Sequence, residues 1–214
     1  MSIYKKNLEL LTKNNVYSKE MEHDACGVGL IASTEGKKSR EVVEYGIEAL
    51  KAVWHRGAVD ADGKTGDGAG IHLEIPKDFF VEKIEVTGHT HDGSDICVGM
   101  IFLPRNDYSS QESCKTIVES ELTKNDFSIY GWRQVPVNPK VLGEKAFQTM
   151  PEIIQVLFKS NDKNLLDKEL ERKIYETRKK IENKAFNFSL NNFYICSISS
   201  CLLYTSDAAD ESDR

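Results

Sequence analysis

The chain has 214 residues, 40% hydrophobic and 29% charged, which is enough for one domain with a sizeable buried core. Its formal net charge of −6 leaves no electrostatic footprint for nucleic acid or for an anionic membrane surface. No run of about 20 apolar residues is present to span a bilayer.

Residues 1–25 are polar and charged, with one short amphipathic piece around Leu8–Leu11. They read as a leader rather than as part of a core. Lys5 and Lys6 are followed by no continuous apolar stretch, so the segment fails as a secretory signal. The small and apolar residues 27–33 read as a buried strand, and TEGKK (34–38) supplies a turn. From Arg40 to Trp54 the apolar positions Val42, Val43, Ile47, Leu50, Val53 and Trp54 lie on one helical face, with Ser39 as the N-cap. The glycine-rich HRGAVDADGKTGDGAG (55–70) must be a loop. In IHLEIP (71–76), Ile71, Leu73 and Ile75 alternate with His72 and Glu74, as in a strand with one buried face.

ICVGMIFLP (96–104) is apolar throughout and predicts a strand buried on both faces. A helix is expected over 110–124. IYGWRQVPV (129–137) reads as a strand whose Pro136 marks an edge or an end. EIIQVLF (152–158) is another strand. Residues 162–184 form a charge-rich helix with Leu166, Leu170, Ile174 and Ile181 on one side, and NFYICSIS (192–199) is a last strand. Antiparallel strands with separate helices point to a layered α+β architecture. The final CLLYTSDAADESDR (201–214) shifts in composition, and reads as a tail foreign to the protein, or as an acidic disordered end.

Five cysteines, an odd number without a C-x-x-C pair, fit thiols in a reducing cytoplasm better than a disulfide framework. Among them Cys26 stands apart. A cysteine opening a small-residue strand is most often a buried, inert hydrophobe. Here Gly27 and Gly29 would let other groups approach the backbone, and Ala25 is small, as a cleavage junction prefers. Cleavage before Cys26 would free an α-amine with an ordinary pKa of about 7.7–8.0. That amine could serve as the base that makes the thiol a nucleophile.

Three separated stretches, HDACGVGLIA, EALKAVWHRGAVDADGKTGDGAGI and YGWRQVPVNPKVLGEKAFQTMPEI, occur in this order. Together they resemble the N-terminal glutaminase domain of the glutamate synthase large subunit, a class II glutamine amidotransferase, over about residues 20–200. The resemblance implies the four-layer αββα fold of the N-terminal-nucleophile hydrolases, here incomplete. It implies Cys26 as the nucleophile on the side-chain amide of glutamine and Arg56 as the arginine that holds its geometry. A guanidinium fork suits that task, although an isolated HRG would otherwise be read as an exposed loop arginine. The Gly66, Asp67, Gly68 loop falls in the family's glycine-rich active-site segment. It lacks the Lys and Ser/Thr of a phosphate-binding loop and precedes a strand, so it is no nucleotide cradle; Asp67 is equally an ordinary turn aspartate.

The boundaries implied are a leader (1–25), the first part of a type-2 amidotransferase domain (26–200) and a non-native tail (201–214). No metal site is expected. His89, His91 and Asp92 in HTHDG have no evident partner ligands and read as a solvated loop. Cys97 and Cys196 read as core, and Trp132 and Arg133 as packing residues. No cofactor belongs to this segment. FMN and an iron–sulfur cluster are implied for the full-length enzyme, with a small subunit or ferredoxin as its partner and a cytoplasmic or plastid setting. The family's oxyanion-hole asparagine and glycine lie downstream of residue 200, so this polypeptide alone is expected to be an inactive fragment. The alternatives are a standalone amidotransferase serving a purine or sugar precursor, and a non-catalytic module that keeps the fold.

Overall fold

The computed structural model describes residues 3–13, 27–54, 57, 59–66 and 68–206. Its helices are α1 (Ile3–Lys13), α2 (Arg40–Ala52), α3 (Lys77–Val86), α4 (Tyr108–Lys124), α5 (Glu144–Thr149) and α6 (Asp167–Asn187). Its strands are β1 (Gly70–Glu74), β2 (Cys97–Leu103), β3 (Phe127–Gln134), β4 (Glu152–Ser160), β5 (Tyr194–Ser199) and β6 (Leu202–Ser206). Four strands form an antiparallel sheet in the order β3-β4-β2-β5, and β1 pairs with β6 in a second, two-stranded sheet.

The strand β2 organises the layers. Its Cys97, Ile101 and Leu103 point to one face of the large sheet, where Cys114, Val118 and Leu122 of α4 and Leu170, Ile174 and Ile181 of α6 close a core. Its Val98, Met100 and Phe102 point to the other face. There they meet Phe80 and Ile84 of α3, Ile75 and, from β6, Leu203. A strand covered on both sides must be apolar at every position, as the sequence predicts. The pattern of β1 is also as expected, with Ile71 and Leu73 half-buried and His72 and Glu74 exposed. Helix α2 lies against β1, where a side chain on Gly46 would begin 3.2 Å from the Ile71 methyl. Ser39 caps α2 by accepting the Val42 N–H at 3.4 Å. The architecture is α+β, with α4 and α6 on one face of the large sheet and α3 and β6 on the other.

Several elements differ from expectation. Residues 27–33 are not a buried strand; they are irregular, with Val28 and Leu30 at 88% and 90% exposure. An extended segment gains ladder hydrogen bonds and burial only beside a neighbour, and no described strand lies along this one. Helix α6 begins at Asp167 rather than 162. Ser160 Oγ and Asp162 Oδ1 accept the N–H groups of Asp162 and Asn164, at 3.2 and 2.9 Å, and hold a turn in place of a first helical turn. Helix α3 has no counterpart in the sequence reading, because only Phe80 and Ile84 are buried on it and Pro76 precedes it. The segment beyond Ser200 enters the fold as β6: Glu171 of α6 accepts the Ser200 N–H at 2.6 Å, and the Cys201 carbonyl accepts the Ile75 N–H at 3.0 Å.

The seam between α4 and α6 carries a charge pair. Glu121, with its side chain only 9% exposed, accepts Lys184 Nζ at 2.6 Å and faces Lys124 Nζ at 3.5 Å. The Lys184 ammonium holds the Glu121 carboxyl below the usual carboxylate range. A depressed carboxylate stabilises the fold above its unfolded pKa, and that contribution is lost as pH falls through the folded one. Glu121→Gln is therefore expected to cost about 1–2 kcal/mol at pH 7, since Lys184 is partly screened by solvent. It should also flatten the acid limb of stability in urea titrations run from pH 7 to pH 3. An unchanged acid limb would show that the pair contributes nothing.

Candidate functional site

Cys26 and Arg56, to which the resemblance gives catalytic roles, and Asp67 of the glycine-rich loop lie outside the described residues. Their described neighbours are residues 27–33, 59–66 and 68–70. Gly27–Ser33 is exposed or half-buried, and nothing described lies within 4 Å of where a side chain on Gly29 would begin. The expected close approach to this glycine is thus not made by the described residues.

The glycine-rich loop is better defined than its composition implies. Val59 and Gly66 form an antiparallel bridge. Inside it the Asp60 N–H donates to the Thr65 carbonyl at 2.7 Å, and the Gly63 N–H to the Asp60 carbonyl at 2.9 Å. Gly63 takes φ of 69°, a left-handed conformation that glycine adopts without strain. The turn is built on Asp62. Its Oδ1 accepts the Lys64 and Thr65 N–H groups at 2.9 and 2.7 Å, and its Oδ2 accepts the Thr65 hydroxyl at 2.6 Å. The Thr65 hydroxyl, then these two N–H groups, pull the Asp62 carboxyl down to about 2. Gly66 is half-buried at the bridge, and Gly68 follows on the exposed approach to β1. Composition alone gives this stretch only as a loop near the site. The Asp-x-Asp-Gly-x-Thr spacing is the signal for its internal order, since Asp side chains readily accept N–H groups two and three residues on.

The hairpin is also tied to the distant segment 143–145. Asp62 Oδ2 accepts the Glu144 N–H at 3.1 Å, and Lys145 Nζ meets Asp60 Oδ2 at 2.5 Å. The ammonium holds the Asp60 carboxyl below its ordinary value and is itself raised by Asp60. Gly143 is buried beneath the turn; a side chain there would begin 2.1 Å from Thr65 Oγ1 and 2.3 Å from Asp62 Oδ2. Only glycine fits at that approach.

The remaining candidates have other surroundings. Trp132 donates its indole N–H to Glu119 of α4 at 2.7 Å and packs on the helical side of the sheet. Arg133 donates to the buried Gln155 at 2.8 Å and lies over the Phe79 ring. The HTHDG loop is pinned to β4 through Asp92, which accepts Lys159 Nζ at 2.8 Å and lies 3.3 Å from Lys163 Nζ. Among the described residues no three His, Cys, Asp or Glu side chains converge as metal ligands. Cys97 and Cys114 are buried in the core, where burial pushes the Cys97 thiol far up and the Cys114 thiol to about 11. Such thiols are poor nucleophiles, and without further converging ligands among the described residues they do not make up the four-thiolate set of an iron–sulfur cluster. No helix among the described residues is long and apolar enough to cross a membrane.

The family model of the class II glutamine amidotransferases matches residues 26–207, and the chain belongs to that family. The match opens at Cys26 and includes β6. Among individual proteins, the chain is 52% identical over 196 residues to the large chain of the NADPH glutamate synthase of Azospirillum brasilense, covering 92% of this chain and 13% of that protein. It is 38% identical over 195 residues to the ferredoxin-dependent glutamate synthase of Pyropia yezoensis, covering 89% and 12%. It is 40% identical over 180 residues to the chloroplastic/mitochondrial ferredoxin-dependent glutamate synthase 1 of Arabidopsis thaliana, covering 83% and 11%. The chain thus spans about an eighth of the length of the curated relatives it matches.

Proposed function

We propose that this chain carries the glutamine-hydrolysing site of a glutamate synthase, with Cys26 as its nucleophile. The observation that carries this reading is that the family match opens at Cys26, the residue whose exposure by cleavage would join thiol and base in one amino acid. Residues 1–25 are then a leader and 26–200 the first part of the amidotransferase domain; of 201–214, which reads as foreign by composition, the family match still covers 201–207.

Removal of the leader frees the Cys26 α-amine, which takes the thiol proton. The thiolate attacks the side-chain amide carbon of glutamine. The carbon–nitrogen bond breaks, the nitrogen leaves as ammonia with the transferred proton, and a thioester remains. Water attacks the thioester, glutamate departs and the thiol is restored. Arg56 holds the nucleophile's surroundings in a fixed plane, and the Gly66, Asp67, Gly68 loop lines the substrate. The ammonia serves the reductive amination of 2-oxoglutarate to glutamate elsewhere in the enzyme, in the cytoplasm or a plastid. There a small subunit or ferredoxin would deliver the electrons. FMN and the iron–sulfur cluster would supply that redox chemistry.

Two measurements on protein purified from its own cells test the reading. The mature chain should begin at Cys26 by N-terminal sequencing, and a diazoketone analogue of glutamine should add once, to Cys26. Mature protein that keeps Met1–Ala25 while turning over glutamine would overturn it, as would addition at Cys201 instead.

A further inference from the structure

The hairpin 59–66 connects, by sequence, the two segments assigned to the site. Arg56 stands three residues before Val59, and Asp67 directly follows Gly66. Because Val59 and Gly66 are bridged, the chain enters and leaves the hairpin side by side. Where those two ends point therefore depends on how the hairpin is anchored. Its described anchors are made at the turn, to a segment about eighty residues further on. They are the Glu144 N–H on Asp62, the Lys145 ammonium on Asp60, and the close seat of Gly143 against Thr65 and Asp62.

Three features set this apart from an ordinary surface turn. Asp62 Oδ2 serves both partners at once, accepting the Thr65 hydroxyl within the hairpin and the Glu144 N–H outside it. The contact is closed to any side chain at position 143. The anchor segment is itself seated, since Ala146 is buried and Arg105 lies over the Phe147 ring.

We propose that Asp62, with Gly143 and Lys145, is a positioning device for glutamine hydrolysis, holding the glycine hairpin in the one orientation that presents its two flanking segments to the substrate. This rests on the glutamine-hydrolase reading above. It also supplies a reason for the GEKAF segment (143–147), for which no chemical role is otherwise apparent. Asp62 acts through the hairpin and touches no reacting atom.

The test uses a polypeptide of the relatives' full length that carries these residues. Asp62→Ala is expected to lower kcat/KM for glutamine about 10–100-fold, the scale set by a small misplacement of reacting groups. Labelling of Cys26 by the diazoketone glutamine analogue should slow by the same factor, while its alkylation by iodoacetamide stays unchanged. A merely structural role would move both labels together. Asp62→Asn, which keeps one accepting oxygen, should recover part of the loss, and Lys145→Ala should reproduce part of it. The buried Cys97 and Cys114 report folding, since both become alkylated if the domain opens. Should Asp62→Ala open it, Asp62→Asn and Lys145→Ala decide in its place. Folded variants that hydrolyse glutamine within about twofold of the parent would overturn the positioning role. A parent that neither hydrolyses glutamine nor is labelled at Cys26 would instead overturn the glutamine-hydrolase reading itself.

Discussion

Cys26→Ala, in a full-length polypeptide carrying these residues, is expected to lower glutamine-dependent turnover on the order of 10⁴–10⁶-fold, the loss that follows removal of a covalent nucleophile. Activity with free ammonia in place of glutamine should persist, because ammonia bypasses the hydrolytic step. The other thiols offer no substitute in the core: Cys97 and Cys114 are buried, and their thiols are raised rather than lowered. The pH dependence carries a further signature. The α-amine acts as a base only when neutral, so kcat/KM for glutamine should rise with pH through the amine's pKa, ordinarily about 7.7–8.0, and level off above it. Cys26→Ser keeps the amine and a weaker nucleophile, and should fall between the two. Retention of a tenth or more of glutamine turnover by Cys26→Ala (on the order of 1.4 kcal/mol in barrier) would place the nucleophile elsewhere.

The largest loss of stability is expected at Phe158. This residue lies on β4, between β3 and β2, opposite Cys97 on one side and Ile129 on the other. Its ring is fully buried and stands edge-on to Phe127, with centroids 5.3 Å apart. Phe158→Ala removes that pair and leaves a cavity in the core that α4 and α6 close over the sheet, which costs about 3–5 kcal/mol. The whole stability of a domain is about 5–15 kcal/mol, so the variant should unfold at a much lower urea midpoint and be depleted in cells. Phe158→Leu keeps most of the volume and should cost much less, about 1.5 kcal/mol. A Phe158→Ala midpoint equal to that of the parent would mean that this core does not exist as described.

What could be read from the residues was whatever is written locally. The 42, 43, 47, 50 spacing after Ser39 defines a helix and its start without reference to anything distant, and α2 begins where that cap lies. The unbroken apolar run of β2 announces two covered faces, and the two cores divide its side chains accordingly. Pro136 has no N–H to give a neighbour, and β3 both ends at Gln134 and lies at the edge of the sheet. The class of protein was legible for a different reason: three motifs in fixed order carry the resemblance, and the family match covers the same stretch.

What could not be read is whatever depends on a partner remote in sequence. The apolar 27–33 promises burial, but burial needs a neighbouring element that composition does not specify, and Val28 and Leu30 stand in solvent. Leu202–Ser206 looks foreign by composition, yet it pairs with Gly70–Glu74 because backbone ladders ask little of side-chain identity. Asp62 reads as a turn residue; that the same carboxylate also seats Glu144 over Gly143 is a matter of tertiary approach alone. The sequence by itself determined the family, the faces of the principal strands and the residue proposed for chemistry, because periodicity and motif are properties of neighbouring positions. Only the tertiary structure decided how the glycine hairpin is anchored and which apolar runs are covered, because those follow from contacts that the chain makes across long separations.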